Sequence, residues 1–293
     1  MNIRDFTYLI NLAKTNHFGR AAEISFVSQP TLSIQIKKLE KTLGCQLIER
    51  RGKSAELTEA GRIATARAEQ IINSIQELKQ QMLNFTDPFS GAWKLGIFPT
   101  LAPYLLPLIT PKIKKQMPNL ELKLFEATTD ECISHLSKGD WDSILIAAPS
   151  NDPMIFDQKL FKEKFYLALP KAHPLAKHKI VPAKKIPDNE ILLLEKGHCL
   201  RQHSMEFCHR LNKSHQQQFY GTSLETLIGM VALGEGMTLI PELSIKNFKH
   251  YQIAIRPITP TPFRDIYLHW RKTNGRQMCI DQLNQIIKST LTE

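Results

Sequence analysis

Long apolar runs are missing from this sequence. No stretch approaches the ~18–20 consecutive apolar residues of a membrane-spanning helix, and a soluble, cytoplasmic protein is expected. The opening MNIRDFTYLINLAKTNHF carries Arg4, Asp5 and Lys14 and lacks the unbroken apolar core of a signal peptide. Cysteine is scarce, five in 293 residues. That is no disulfide framework; it points to a reducing compartment in which any disulfide would be transient and purposeful. The close C-x₂-C spacing of structural zinc sites is absent, as are internal repeats and low-complexity tracts. Acidic residues are the minority sign, 28 against 38 Lys and Arg, giving +10 and a pI near 9.3, which favours a polyanionic partner. The excess is uneven: residues 1–67 hold 11 basic against 6 acidic side chains. Otherwise the composition is that of a globular chain, 42% hydrophobic and 23% charged, long enough for one to three domains with a real core.

Near the N-terminus, Phe6, Leu9, Ile10 and Ala13 repeat at i, i+3, i+4, i+7, one face of a helix. GRAAEIS reads as a short second helix. SQPTLSIQIKKLEKTLG reads as a third, with Ser28 as N-cap, Pro30 in the first turn, Gly44 as terminator and Leu32, Ile36, Leu39 and Leu43 as buried stripe. Three short helices with a tight second connection form a helix-turn-helix whose third helix would enter the DNA major groove. Gln29, Thr31, Ser33 and Gln35 suit base edges; Lys37 and Lys38 suit phosphates. QLIERRGKSAELT alternates about a Gly-Lys-Ser turn, a wing with Arg50, Arg51 and Lys53 at its tip.

Thr58 can cap a long helix over roughly 59–85. Within it Ala64, Ala68, Ile71, Ile75, Leu78, Met82 and Phe85 are spaced 4, 3, 4, 3, 4, 3, the seam of a dimerising coiled coil. TDPFSG breaks the pattern. From Trp93, WKLGIF, LELKLFEA, DSILIAA, FYLALP, ILLLE, MTLIPE and DIYLHWR read as strands with helical segments between them, and TSLETLIGMVALGEG as a capped helix feeding a strand. The expected fold class is α plus α/β: a winged helix-turn-helix over 1–58, a linker helix over 59–86, and a two-subdomain α/β domain with a central cleft over 92–293.

EKGHCLRQHSMEFCHRL sets Cys199 and Cys208 nine positions apart, among His198, Arg201, His203, His209 and Arg210. A free thiol has a pKa of ~8.5, and a nearby cation favours its reactive thiolate; Arg201 and Lys196 are the local candidates. The residues alone read first as two small buried thiols, with a zinc site of two Cys and several His as a further alternative. Cys45, Cys132 and Cys279 have no such surroundings and read as small buried apolar residues.

FTYLINLAKTNHFGRAAEISFVSQPTLSIQIKKLEKTLGCQLIERRGKSAELTEAG resembles the signature of the LysR-type transcriptional regulators throughout, in order and in spacing. The resemblance continues, through FPTLAPYLLP, EKGHCLRQHSMEFC and TSLETLIGMVALGEGMTLIPE, to the peroxide-sensing members of that family. It implies a regulatory domain of periplasmic-binding-protein type, a homotetramer built of dimers, and a transcription activator switched by hydrogen peroxide through a reversible intramolecular disulfide. Its expected partners are a pseudo-palindromic double-stranded DNA operator and RNA polymerase; no cofactor or metal is called for. Cys199 is implied as the peroxide-reactive thiol and Cys208 as the resolving one. Thr100, Thr129 and His198 are implied to hold the peroxide. An acid before the Gly-His-Cys and another after the Cys-Leu-Arg are replaced here by Lys196 and Gln202. LRQHSMEFCHRL contains neither Pro nor Gly. As a helix, nine residues at ~1.5 Å each would hold the two cysteines ~13 Å apart, beyond the ~4.4–6.8 Å that a disulfide spans. Oxidation would then require that helix to unwind. Two rival readings are a family member that binds a small anionic metabolite in its cleft, and a thiol peroxidase enzyme; the N-terminal third has no use in the latter.

Overall fold

The computed structural model describes residues 1–51, 54–83, 85, 87–195, 200, 220–221 and 223–292. The chain divides into two compact units, Met1–Met82 and Leu83–Glu293.

In the first unit, α1 (Ile3–Thr15) starts on a capping box. Asn2 accepts from the Asp5 N–H, Asp5 accepts from the Asn2 N–H, and the helix ends on left-handed Asn16. A ring nitrogen of His17 caps α2 (Phe18–Ile24) by accepting from Gly19 and Arg20. Ser28 caps α3 (Gln29–Leu43), which stops at left-handed Gly44. Leu9, Leu12, Phe18, Ala21, Leu32 and Ile36 fill the space between the three helices. Truncating one such leucine to alanine typically removes about 2–5 kcal/mol. The buried stripe of α1 is rotated by about one residue from the sequence expectation. Tyr8 and Leu12 are buried with Leu9 and Ile10, whereas Phe6 and Ala13 are half-buried, because α1 is flanked by both α2 and α3. Leu43 is exposed rather than buried; it is the last residue before the Gly44 turn, beyond the reach of the core.

β1 (Ile48–Arg51) and β2 (Ser54–Leu57) pair antiparallel with Arg51 opposite Ser54. α4 (Glu59–Leu83) follows, its first turn held by Thr58 Oγ1, which accepts from the Gly61 N–H at 2.9 Å. Gly61 must be glycine. A β-carbon there would lie 2.0 Å from the Leu47 carbonyl oxygen, so the base of the long helix is seated against the wing.

The second unit is α/β. Its sheet runs β4-β3-β5-β12-β6-β11-β7, with β10 also paired to β6. The strands are β3 (Gly91–Ile97), β4 (Leu120–Glu126), β5 (Ser143–Ile146), β6 (Ile155–Pro170), β7 (Val181–Pro182), β10 (Thr238–Pro241), β11 (Ile253–Thr259) and β12 (Phe263–Arg271). A short parallel pair, β8 (Leu193–Leu194) and β9 (Tyr220–Gly221), stands apart. Its α-helices, among the described residues, are α5 (Ala102–Gln116), α6 (Thr129–Lys138), α7 (Leu224–Leu233) and α8 (Gln277–Thr292). Two hydrophobic cores result. One gathers β3, β5, α5, α6 and α8 around Trp93, Leu95, Ile109, Leu136 and Leu283. The other gathers the second half of β6, α7, β10 and β11 around Phe165, Leu167, Ile228 and Ile240. The long β6 serves both: its first half pairs β12 and its second half pairs β10 and β11. That makes two subdomains threaded on one strand. No described helix is long and apolar enough to cross a membrane.

Candidate functional site

On α3, Gln29, Thr31, Lys37 and Lys38 are exposed, while Ser33 and Gln35 are half-buried on the flanks. The Thr31 hydroxyl shares a 2.7 Å hydrogen bond with the Ser28 cap, which fixes the start of the helix. Arg50 and Arg51 lie on β1 opposite Ala55 and Ser54; Lys53 lies outside the described residues.

In the second unit, β3 and β4 are parallel neighbours, Ile97 opposite Glu126. Thr100 and Thr129 each follow three residues beyond those strand ends. Both therefore stand at the carboxyl edge of the sheet, where open α/β folds bind ligands. Thr100 is buried. Its hydroxyl accepts from Arg264 Nη1 at 2.9 Å, and its carbonyl accepts from Arg264 Nη2 at 2.9 Å. Arg264 is itself held by Glu163, whose Oε2 accepts from Nε at 2.8 Å and lies 2.7 Å from Nη2. The guanidinium rests between the rings of Phe98 and Phe165, 4.8 and 5.4 Å from their centroids. Thr129 opens α6 behind the Thr128–Glu131 capping box. Its hydroxyl oxygen is buried without a hydrogen-bond partner among the described residues. Nearby in the fold, the Tyr104 hydroxyl on α5 donates to Glu225 Oε1 on α7 at 3.0 Å, joining the two subdomains. Burial, and then the Glu225 charge, push the Tyr104 phenol up; the same two causes raise the carboxyl of Glu126, the last residue of β4.

His198, Cys199, Arg201 and Cys208 lie outside the described residues, as do Lys196, Gln202 and the expected helix over 200–210, apart from Leu200. Leu200 is buried in the second core. Cys132 and Cys279 are buried as expected, but Cys45 is exposed, one residue past the left-handed Gly44. The described residues contain no group of three or more His, Cys, Asp or Glu placed to hold a metal. Arg264 and Glu163 were not singled out by sequence reasoning. The available signal was phase: Arg264 shares the inward period of Ile266 and Leu268 along β12, and all three are buried.

Residues 3–62 match the bacterial regulatory helix-turn-helix proteins of the lysR family, and residues 86–292 match the LysR substrate binding domain. The chain belongs to the LysR family. Among LysR proteins, it is 37% identical over 293 residues to the DNA-binding transcriptional dual regulator OxyR of Escherichia coli K12, covering 99% of this chain and 96% of that one. A full-length OxyR variant from Pseudomonas aeruginosa superposes with a TM-score of 0.79 at 32% identity, covering 98% and 95%. A hydrogen-peroxide-bound OxyR variant from Corynebacterium glutamicum gives 0.69 at 27% identity, covering 99% and 92%. The two matched segments account for the order of elements: a LysR helix-turn-helix, then a LysR regulatory domain.

Proposed function

We propose that this LysR protein is a transcriptional regulator that binds double-stranded DNA and senses hydrogen peroxide by a reversible Cys199–Cys208 disulfide. The observation that carries the reading is the threonine pair at the carboxyl edge of β3 and β4. One hydroxyl is held by a buried guanidinium, the other is buried with no described partner, and both belong to residues that the resemblance implies for holding peroxide. The likeness to OxyR over nearly the whole chain supports the same reading.

The chemistry needs no metal. The Cys199 thiolate attacks one peroxide oxygen and the O–O bond breaks. The sulfur becomes a sulfenic acid, and the departing hydroxide takes a proton to leave as water. Thr100 and Thr129 supply hydroxyls to orient the peroxide. His198 serves as a donor to it or to the leaving oxygen, and Arg201 favours the thiolate. The Cys208 thiol then attacks the sulfenic sulfur, a second water departs, and the disulfide remains. A cellular dithiol reverses it. Such a sensor reacts once per reduction cycle, unlike a peroxidase.

α4 is proposed to join two chains, since Ile71, Leu78 and Met82 of its seam are exposed along the helix; regulatory-domain contacts would complete a tetramer. Two helix-turn-helix units so joined would read a pseudo-palindrome, with Lys37, Lys38, Arg50, Arg51 and Lys53 on phosphates and Gln29, Thr31, Ser33 and Gln35 toward bases. Recruitment of RNA polymerase and a cytoplasmic location follow from activation at a promoter.

Thiol trapping tests the redox step. One equivalent of peroxide should convert the reduced wild type to an intramolecular disulfide and shift its footprint on DNA. Cys199→Ser should not react, and Cys208→Ser should stop at a trappable sulfenic acid. A wild type whose Cys199 and Cys208 stay fully alkylatable after peroxide would refute it.

A further inference from the structure

Besides Leu43 at its last residue, Ile34 is the large apolar side chain left bare on the recognition helix. It is 64% exposed. At ~100° per residue, Leu32 and Ile36 lie about 160° from it on either side, and both are buried in the three-helix core. Ile34 therefore points almost directly away from that core. Thr31 and Lys38, at i−3 and i+4, flank it on the same face, and all three are exposed. Ser33 and Gln35, the neighbours in sequence, are turned to the sides and half-buried. The outward face of α3 is thus an apolar centre inside a polar and cationic rim.

Isolated exposed apolar residues are ordinary on a protein surface. Here the position decides. A helix that enters the major groove presents its outward face to base edges, and the one apolar group displayed there is the thymine C5 methyl. Branched Ile34 cannot hydrogen-bond a base, so it cannot read the donors and acceptors that Gln or Ser would. It can desolvate a methyl, and Lys38 beside it supplies the charge that holds the helix against phosphate.

We infer that Ile34 reads a thymine methyl in each half-site and is a specificity-determining residue of the DNA interface. This rests on the DNA-binding reading above. A duplex is selected from a random pool by the full-length protein, and each half-site thymine is then replaced singly by uracil, which differs only by the methyl. At one or more positions per half-site, wild-type affinity should fall about threefold to tenfold, near the ~0.8 kcal/mol of a buried methyl(ene) group. Ile34→Ser should bind more weakly and be indifferent to uracil there, whereas Ile34→Val should keep the sensitivity. The salt slope should be the same for all three, because no phosphate contact changes. Ile34→Ala replaces the serine variant should that one lose its helical spectrum. If the wild type binds the selected duplex but uracil changes nothing, or weakens wild type and variant alike, the inference fails and the DNA reading stands. If no duplex is enriched, both fail.

Discussion

Glu163 Oε2 meets both Nε and Nη2 of Arg264, at 2.8 and 2.7 Å, with 2% and 1% of the two residues exposed. The second Glu163 oxygen accepts from the Leu243 N–H at 3.1 Å, and the remaining guanidinium nitrogen reaches Thr100. Charge, lone pairs and N–H groups are thus matched inside the protein, the condition under which a buried pair is tolerated. Glu163 sits on β6, the strand that serves both cores, and Arg264 on its neighbour β12, so the pair also fixes where Thr100 stands.

Removing one partner strands the other. Glu163→Gln should destabilise the chain by about 3–5 kcal/mol, read from urea unfolding. Thr100→Val deprives Arg264 of one acceptor and should cost about 1–3 kcal/mol. The two variants should separate in function. Thr100→Val should slow oxidation of Cys199 by about 10²-fold while the protein remains folded, and Thr100→Ser should restore it. Equal peroxide rates for Thr100→Val and wild type would remove Thr100 from the site.

Much of this was legible where local rules act. Ser28 and Gly44 bracket α3, Thr58 caps α4, and the apolar runs of β3, β4 and β5 fall where alternation puts them. The first half of β6 was not. Asp157, Lys159, Lys162 and Lys164 obscure it, and a bulge opposite Ile266 and Tyr267 breaks the period of two. β11 was hidden by Pro257, which reads against a strand yet stands in register with Tyr166. The Arg264–Glu163 pair spans 101 positions, and no local pattern encodes a contact of that range. Thr100 and Thr129 were reached through resemblance; their shared place beyond parallel strand ends is a property of the sheet.

His269 should make stability fall in mild acid. It is 1% exposed, and its Nε2 has no partner among the described residues. Burial lowers its pKa, against the opposing pull of Asp157 and a hydrogen bond with the Ala148 backbone. In the unfolded chain it titrates near ~6.5. Below that pH the unfolded state takes up a proton that the folded state resists, so stability present above ~6.5 is lost as pH falls. The loss should approach about 1.4 kcal/mol per pH unit until the folded pKa is reached. His269→Gln should lack this component, seen as a narrowing gap between the two stability curves from pH 8 to 5. Parallel curves would show that the ring titrates alike in both states.

The three cysteines away from the proposed switch should differ in reactivity. Burial pushes the Cys279 thiol up to about 11, and Cys132 is fully buried. Only the thiolate alkylates, so native protein at pH 8 should lose Cys45 to an alkylating reagent first, with Cys132 and Cys279 reacting only on unfolding. Peptide mass spectrometry resolves the order. Cys45→Ser then provides a clean background for trapping Cys199 and Cys208. Early labelling of Cys279 would contradict its enclosure.

Lys37 is exposed on the flank of the outward face of α3, a placement suited to phosphate. Lys37→Ala should weaken every duplex alike and flatten the slope of log K against log salt by about 1. A change of preferred sequence at constant slope would instead make it a base contact.

The seam of α4 yields the last prediction. Ala68 is fully buried, whereas Ile71, Leu78 and Met82 are 41%, 56% and 50% exposed. Seven and then four residues separate the three, so they share one stripe along the helix. An isolated helix with that stripe facing water is marginal; paired with a second copy it buries each side chain twice over per dimer. Leu78→Asp would place two carboxylates across such a seam and leave both desolvated. Sedimentation should show the dimer weakened by at least an order of magnitude in dissociation constant, with the fold intact by circular dichroism. Because two half-sites would then be bound by separate chains, affinity for a full operator should drop toward that for one half-site, while affinity for an isolated half-site stays put. Loss at the half-site as well would mean that α4 supports the helix-turn-helix itself, through the Gly61–Leu47 contact at its base, and that the chains meet elsewhere.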